Sequence, residues 1–178
     1  NYIEPFNTYM DMENWRLEPE GEGVIRKLSD MAEMYYDQEA TKKVLAEDPV
    51  IYEFYTVKVP ENASNLLHCI SIINPGKIGD EYYMTKGHFH EVEDTAEIYL
   101  TLSGEGKMVM ETPEGEAKVI EMKEGSISYI PPYWAHRTVN TGDKPLVLFA
   151  VYRGDAGHDY ETIEEKSMAK IVVEEEGK

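Results

Sequence analysis

The chain has 178 residues and a formal net charge of -18 at pH 7, with 35 acidic residues against 17 lysines and arginines. This length fits one domain with a substantial core, and so negative a field repels phosphate, which argues against nucleic acid or anionic membranes as partners. The sequence shows no leader segment, no long apolar run and one cysteine, Cys69, so we expect a cytoplasmic protein with a reduced thiol.

The first 49 residues are predicted to contain an irregular arm and a helix. Residues 1–27 mix prolines, glycines and acidic residues with isolated aromatics, which predicts an arm with one or two strands. Residues 28–47 are predicted to form the one helical region. Ser29 or Asp30 can cap its start. Asp48-Pro49 ends it, since proline disfavours a helical conformation in the residue before it.

From residue 50 onward, short apolar runs alternate with glycine and proline turns. Strands are predicted at residues 50–56, 66–73, 81–90, 96–102, 107–111, 117–122, 126–130, 137–140, 145–152 and 170–174. The polar residues 154–166 are predicted to form a loop or a helix. Short strands at this spacing favour a β-sandwich or a β-barrel.

Three histidines and one glutamate in the middle of the chain form a candidate metal site. Side chains alternate between the faces of a strand, so His88 and His90 of the H-x-H motif point the same way. Glu97 has the opposite parity, so residues 91–95 must turn or bulge before the next strand begins. His136 lies in a second alternating segment. Three imidazoles and one carboxylate suit Fe, Mn, Ni, Co or Zn, and the alternative is a hydrogen-bonded polar network in the core.

Two sequence boxes around these residues resemble the two motifs of the cupin superfamily. The first reads HFHEVEDTAEIYLTLSG and the second reads GSISYIPPYWAHRTVN. The gap between His90 and Glu97 is longer than the usual cupin gap, and Tyr133 stands where the second motif usually carries glycine. With TKGHFH, TPEGEAK and AGHDY, both departures resemble the archaeal cupin-type glucose-6-phosphate isomerases, over residues 4–176.

The resemblance implies an all-β fold with a minor helical part. This is a single cupin jelly-roll β-barrel, with an N-terminal arm and one or two short helices, that spans residues 1–178. Residues 1–49 are expected to form the arm and helix, residues 50–153 the barrel with both motifs, and residues 154–178 a C-terminal loop and strand. A homodimer is also implied.

The resemblance further implies that His88, His90, Glu97 and His136 bind one divalent metal ion per subunit, with Fe(II) favoured and Mn, Ni, Co or Zn as alternatives. The implied reaction interconverts glucose 6-phosphate and fructose 6-phosphate. A proton leaves C2 and returns to C1 through a cis-enediolate, and Glu97 is the candidate base. A metal-bound carboxylate is a weaker base, so a hydride shift from C2 to C1 stays open. His158 is expected to assist ring opening.

The substrate phosphate is expected at the TKG segment. Thr85 offers a hydroxyl, Gly87 lets a phosphate approach the backbone N–H, and Lys86 supplies charge if it turns inward. From the residues alone, an ordinary entry into a strand explains this segment equally well. The resemblance favours the phosphate site and implies this set of substrate-binding residues: Tyr52, Ser71, Thr85, Gly87, Tyr99, Tyr133, Tyr152 and Tyr160.

Two other functions are compatible with such a site. A cupin dioxygenase uses a similar metal site to activate O₂, and a non-catalytic cupin binds a sugar without turning it over. Formation of fructose 6-phosphate without O₂ uptake would distinguish the isomerase from the dioxygenase. The complete set of four ligands counts against the binding protein. In each case the partner is a small molecule rather than a nucleic acid or a membrane.

Overall fold

Two antiparallel sheets form the framework of the described chain. The computed structural model describes residues 2–158, 160, 168 and 172–173. The strands are β1 (Tyr9–Asp11), β2 (Arg16–Glu18), β3 (Glu22–Lys27), β4 (Val50–Val57), β5 (Leu66–Ile73), β6 (Lys77–Ile78), β7 (Glu81–Tyr82), β8 (Glu97–Ser103), β9 (Glu105–Glu111), β10 (Ala117–Lys123), β11 (Ile127–Ile130), β12 (Ala135–Asn140) and β13 (Leu146–Arg153). Two short 3₁₀ helices, Leu28–Asp30 and Ala32–Met34, and one α-helix, α1 (Gln38–Leu45), connect β3 to β4.

The larger sheet has six strands in the order β11-β8-β13-β5-β4-β3, and the smaller sheet has three in the order β10-β9-β12. The pairs β1-β2 and β6-β7 form separate hairpins. This architecture confirms the predicted all-β fold with a minor helical part. The two sheets do not close into a continuous barrel, and they pack as the two layers of a jelly roll.

The hydrophobic core lies between the two sheets. Ile51, Ile73 and Leu148 of the larger sheet belong to one buried cluster with Met108 and Val139 of the smaller sheet. At one end of this layer the buried residues of β8 and β12 become polar. The sheets therefore enclose a polar pocket at the end of an apolar core, and the polar side chains there come from both layers.

The N-terminal arm contributes more structure than predicted. It contains three strands, and β3 pairs with β4 as the edge strand of the larger sheet. On the outer face of that sheet, Leu17 of β2 packs against Val57, Ile70 and Val147. The arm is thus part of the β layer as well as a cover for its outer face.

The helical region is shorter than predicted. Residues 28–47 hold two 3₁₀ turns and α1 instead of one continuous helix. Tyr36 lies between them and donates its backbone N–H to Oε1 of Glu81 at 3.0 Å, which takes the backbone out of a helical path. Helix α1 is capped by Asp37, whose carboxylate accepts a backbone N–H three residues later at 2.9 Å. The predicted caps, Ser29 and Asp30, lie in the first 3₁₀ turn.

The predicted strand at residues 81–90 is mostly irregular. After β7 the chain runs alongside β12 and is joined to it by isolated backbone hydrogen bonds. Thr85 donates its N–H to the carbonyl of Thr138 at 2.9 Å, and His88 donates to the carbonyl of His136 at 3.2 Å. Gly87 has a φ of +80°, which a regular strand does not contain. His88 is therefore placed by its backbone contacts with β12 and not by strand alternation.

The C-terminal predictions fall mostly outside the described residues. Of the strand predicted at residues 170–174, only residues 172–173 are described, and Val173 forms an isolated bridge with Glu81. Of residues 154–166, only 154–158 and 160 are described. In the described part of the chain, no helix is both long enough and apolar enough to cross a membrane.

Candidate metal centre and substrate pocket

The four predicted metal ligands lie together at the polar end of the core. Glu97 begins β8, and His136 lies on β12. His88 and His90 lie in the irregular segment after β7, which runs alongside β12. His88 and His136 exchange both backbone hydrogen bonds, at 3.2 and 3.1 Å, which fixes these two residues side by side. One ligand atom from each of the four residues lies within 4.8 Å of the other three.

Several of the polar atoms that face one another in this cluster have no hydrogen-bond partner in the described chain. The unpartnered atoms include Nε2 of His88, His90 and His136 and Oε2 of Glu97. Each residue is at most 9% exposed. Leaving a buried polar atom unpaired costs about 1–3 kcal/mol, and one group that engages all four side chains would remove this cost.

The protonation states of two of these groups, His88 and Glu97, also suit a metal ion. Burial lowers the pKa of His88 well below its usual value, so its imidazole is neutral. Burial alone would raise the pKa of Glu97, but the neighbouring imidazoles of His136 and His90 hold it well below its usual range. A neutral imidazole and a carboxylate are the forms that coordinate metals.

The distances within the cluster fit coordination of a single ion. Nε2 of His90 lies 3.5 Å from Oε1 of Glu97, and Nε2 of His136 lies 3.3 Å from Oε2 of the same carboxylate. Donor atoms that each stand about 2.0–2.2 Å from one ion are roughly 3–4 Å apart. The residues present therefore fit a divalent ion with three nitrogen ligands and one carboxylate ligand.

A cavity of about 60 Å³ opens onto this cluster. Its walls bring together most of the predicted substrate-binding and catalytic residues: Tyr52, Ser71, Thr85, Gly87, Glu97, Tyr99, Tyr152, His158 and Tyr160. An outer pocket of about 490 Å³ shares Phe54, Tyr152, His158 and Tyr160 with it. The inner cavity thus lies behind a wider mouth that is large enough for a sugar phosphate.

Tyr133 is not among the residues that line either pocket. Its side chain is 49% exposed, its φ is +77°, and its N–H donates to the carbonyl of Glu93 at 2.8 Å. This contact joins the loop before β12 to the insert between His90 and Glu97. The role of Tyr133 in substrate binding stays a prediction.

Hydrogen bonds hold the TKG segment and leave the hydroxyls of Thr85 and Tyr52 free to donate. Oγ1 of Thr85 accepts the N–H of Thr138 at 3.0 Å, and the hydroxyl of Tyr52 accepts the N–H of Lys86 at 3.3 Å. Each hydroxyl uses a lone pair in these bonds and keeps its proton for another acceptor. Both residues line the inner cavity, so a ligand there can receive these protons.

Arg137 supports this segment from behind and was missed by the sequence reasoning. Its buried guanidinium donates from Nε to the carbonyl of Thr85 at 3.0 Å and from Nη2 to the carbonyl of Lys86 at 2.7 Å. A Cβ at Gly87 would lie 3.2 Å from Cβ of Arg137, which together with the positive φ favours glycine there. Its position next to His136 was the one available signal.

A second missed cation is Arg26 on β3. Its guanidinium lies 5.4 Å from the centre of the Tyr160 ring, and Nζ of Lys86 lies 5.9 Å from the same ring. Nε of Arg26 is buried without a hydrogen-bond partner in the described chain. No local sequence pattern marks Arg26, because its contacts are with residues far along the chain.

His158 and Tyr160 lie over the metal ligands. Their rings stack with 8° between their planes, and the ring centre of His158 is 4.4 Å from that of His88. Burial lowers the pKa of His158, so this imidazole is neutral near neutral pH. The segment after β13 therefore brings an imidazole and a phenol to the mouth of the inner cavity.

The family model and the related proteins that match this chain carry the same name. The family model described as glucose-6-phosphate isomerase matches residues 25–178. Glucose-6-phosphate isomerase of Thermococcus litoralis is 52% identical over 99% of this chain and 93% of its own length. The Pyrococcus furiosus protein of the same name is 49% identical over the same shares. A putative glucose-6-phosphate isomerase 2 of Rhizobium meliloti is 37% identical over 90% of this chain and 82% of its own length.

Among solved structures, oxalate decarboxylases share a more distant likeness. A Bacillus subtilis variant is 22% identical, with a TM-score of 0.47 over 60% of this chain and 27% of the other. A formate complex of the Lactobacillus farciminis enzyme is 18% identical, with a TM-score of 0.48 over 61% of this chain and 30% of the other.

Proposed function

This chain belongs to the glucose-6-phosphate isomerase family, and we propose that it interconverts glucose 6-phosphate and fructose 6-phosphate at a metal ion held by His88, His90, Glu97 and His136. The observation that supports this site most strongly is the buried cluster of unpartnered ligand atoms at the base of the pocket. A bound divalent ion supplies Lewis acidity that polarises the sugar's hydroxyl and carbonyl oxygens.

Glu97 is the group that transfers the proton between C2 and C1. Its carboxylate lies at the base of the cavity, and proton transfer by a placed carboxylate accounts for about 10²–10⁴ in rate. Its depressed pKa makes it a weak base while it lies against His136 and His90. Glu97 must therefore move away from these imidazoles when the sugar binds. A hydride shift would instead leave Glu97 out of the transfer.

His158 is positioned to serve ring opening of the sugar. Its ring lies above His88 and beside Tyr152, at a centroid distance of 5.7 Å from the latter. The lowered pKa keeps the imidazole neutral, with one nitrogen able to accept a hydroxyl proton. Tyr99 and Tyr160 contribute further hydroxyls to the walls.

The phosphate binds at Thr85 and Gly87, with Ser71 and Tyr152 as further donors. A dianion must bind here although the chain carries a net charge of -18. Local positive charge offsets this field, because Arg137 binds the carbonyl of Thr85 and Arg26 lies beside the ring of Tyr160, and Thr85 and Tyr160 both line the cavity. Screening limits the far field to about 8 Å at physiological ionic strength.

A coupled assay with fructose 6-phosphate tests this function. We expect glucose 6-phosphate to form, the rate to fall on treatment with a chelator, and the rate to return on addition of a divalent metal. Oxygen uptake is measured in parallel as a control. Turnover that consumes O₂, or activity that survives complete metal removal, contradicts the proposal.

Three finer assignments extend this proposal. The ion is Fe(II), which metal analysis of anaerobically purified protein tests. The chain acts as a homodimer in the cytoplasm, which light scattering and cell fractionation test. The exposed apolar side chains Ile98, Ile127 and Tyr129 support association, because Tyr129 and Ile98 are paired neighbours at the β11 edge of the larger sheet.

A further inference from the structure

We propose that Thr95 is a positioning residue that fixes the tautomer and orientation of His90 for metal binding. This inference rests on the proposed metal site but adds a residue that is not one of its ligands. Thr95 lies in the insert of residues 91–96, between His90 and Glu97. This insert is the segment in which the chain departs from the usual cupin spacing.

The contact between the two residues is short and buried. Nδ1 of His90 lies 2.7 Å from Oγ1 of Thr95 and 3.0 Å from the carbonyl oxygen of the same residue. Thr95 is 3% exposed and His90 is 5% exposed, so water does not compete for these bonds. Both acceptor atoms converge on one nitrogen of the imidazole.

The chemistry of these partners assigns the proton. A carbonyl oxygen can only accept, so Nδ1 of His90 must carry a hydrogen. The Thr95 hydroxyl donates its own proton to the carbonyl of Val92 at 2.8 Å, so Oγ1 is also an acceptor toward His90. Metal binding requires the neutral imidazole, which has one N–H, so with hydrogen on Nδ1 the lone pair is on Nε2. That nitrogen is the one that faces Glu97 at 3.5 Å.

The insert itself is anchored on two sides. The N–H of Val92 donates to the carbonyl of Ala156 at 2.9 Å, and the carbonyl of Glu93 accepts the N–H of Tyr133 at 2.8 Å. The extra residues between His90 and Glu97 thus form a braced turn that delivers Thr95 behind the imidazole. Partners of this kind raise the metal affinity of a histidine ligand by about 10- to 100-fold.

The test compares Thr95→Val, which deletes the hydroxyl at similar shape, with Thr95→Ser, which keeps it. Thr101→Val is the matched control, because Thr101 is 1% exposed on β8 and its Oγ1 has no hydrogen-bond partner in the described chain. Affinity for Zn(II) is measured by competition with a chromophoric chelator. Thermal unfolding of each metal-free variant is measured in parallel.

We expect Thr95→Val to bind Zn(II) about 10-fold more weakly than the parent, toward the low end of the range because the carbonyl of residue 95 remains. Thr95→Ser and Thr101→Val should bind within threefold of the parent. Thr95→Val affinity within threefold of the parent overturns the inference. A parent that binds no Zn(II) at these ligands overturns the metal site itself, which is a separate result.

If the Thr95→Val variant fails to fold, a measurement on the unaltered protein still tests the inference. Long-range ¹H–¹⁵N correlation spectra of the Zn(II)-loaded parent report which ring nitrogen of each histidine carries hydrogen. We expect His90 to be protonated at Nδ1 and metal-bound at Nε2. The opposite pattern at His90 refutes the role of Thr95 even if affinity falls in the variant.

Discussion

The hydroxyl of Thr85 is predicted to bind the substrate phosphate, and the substitution Thr85→Val removes it with little change in shape. The structure shows that this hydroxyl has two possible tasks. Its oxygen accepts the N–H of Thr138 at 3.0 Å, and the residue also lines the inner cavity. The substitution should therefore weaken phosphate binding and also leave a buried N–H unpaired, since Thr138 is 2% exposed.

The two effects have different magnitudes and different measurements. A hydrogen bond to a charged acceptor contributes about 1.5–3 kcal/mol, so KM for fructose 6-phosphate should rise roughly 10- to 150-fold if ground state and transition state are bound alike. The unpaired N–H of Thr138 should lower the free energy of unfolding by about 1–3 kcal/mol. Initial rates in the coupled assay report the first effect, and denaturant unfolding reports the second.

Thr85→Ser separates the two tasks, because it retains an oxygen for Thr138 and a proton for the phosphate. It should stay within a few-fold of the parent in KM. Glucose without phosphate should be a very poor substrate for the parent. Equal KM values for the parent and for Thr85→Val would show that the phosphate lies elsewhere. The proposed orientation of the sugar in the pocket would then be wrong.

Three further predictions concern His136 and Glu97 of the candidate metal site and the buried carboxyl of Glu81. His136→Ala should lose metal content and activity together, and full metal occupancy in this variant would remove His136 from the ligand set. Glu97→Gln should lower turnover by about 10²–10⁴, with solvent deuterium appearing in the product of the parent reaction; complete retention of the substrate hydrogen would favour a hydride shift. Burial raises the pKa of Glu81 to about 7 despite the opposing charge of Arg137. Because this folded value exceeds the unfolded one, the parent should lose up to about 3 kcal/mol of stability as pH rises from about 4.5 to 7. Glu81→Gln should remove that loss in urea unfolding at pH 5 and pH 8, and an unchanged difference between the two pH values would disprove the assignment.

The sequence predicted strands well where the signal is local and less well where a distant partner decides the conformation. The run that forms β5, predicted at residues 66–73, is marked by its own apolar residues and by the turn residues that follow it. The break before α1 depends instead on Glu81, which accepts an N–H from Tyr36 across 45 residues of sequence. No pattern within residues 28–47 reports that contact.

The candidate site shows the same division. The four candidate ligands were identified because their residue types and spacing resemble a known motif. Thr95 and Arg137 were not singled out, although each lies within two residues of a ligand. Their significance comes from the atoms they contact, namely the far side of an imidazole and two backbone carbonyls. The contacts of Arg137 exist only after β12 has packed against residues 85–86, which lie about 50 residues away in the sequence.

The two bonds from Arg137 have a consequence for how an acidic protein receives an anion. Each peptide unit links a carbonyl to the N–H of the next residue, so a guanidinium on the carbonyls of Thr85 and Lys86 polarises the amides of Lys86 and Gly87. Positive potential reaches the cavity through the backbone, while the cation itself stays buried and out of reach of counterions. Because buried charges are screened little by salt, added salt should not weaken the affinity for the phosphate. A steep rise of KM with salt would mean that exposed lysines provide the attraction instead.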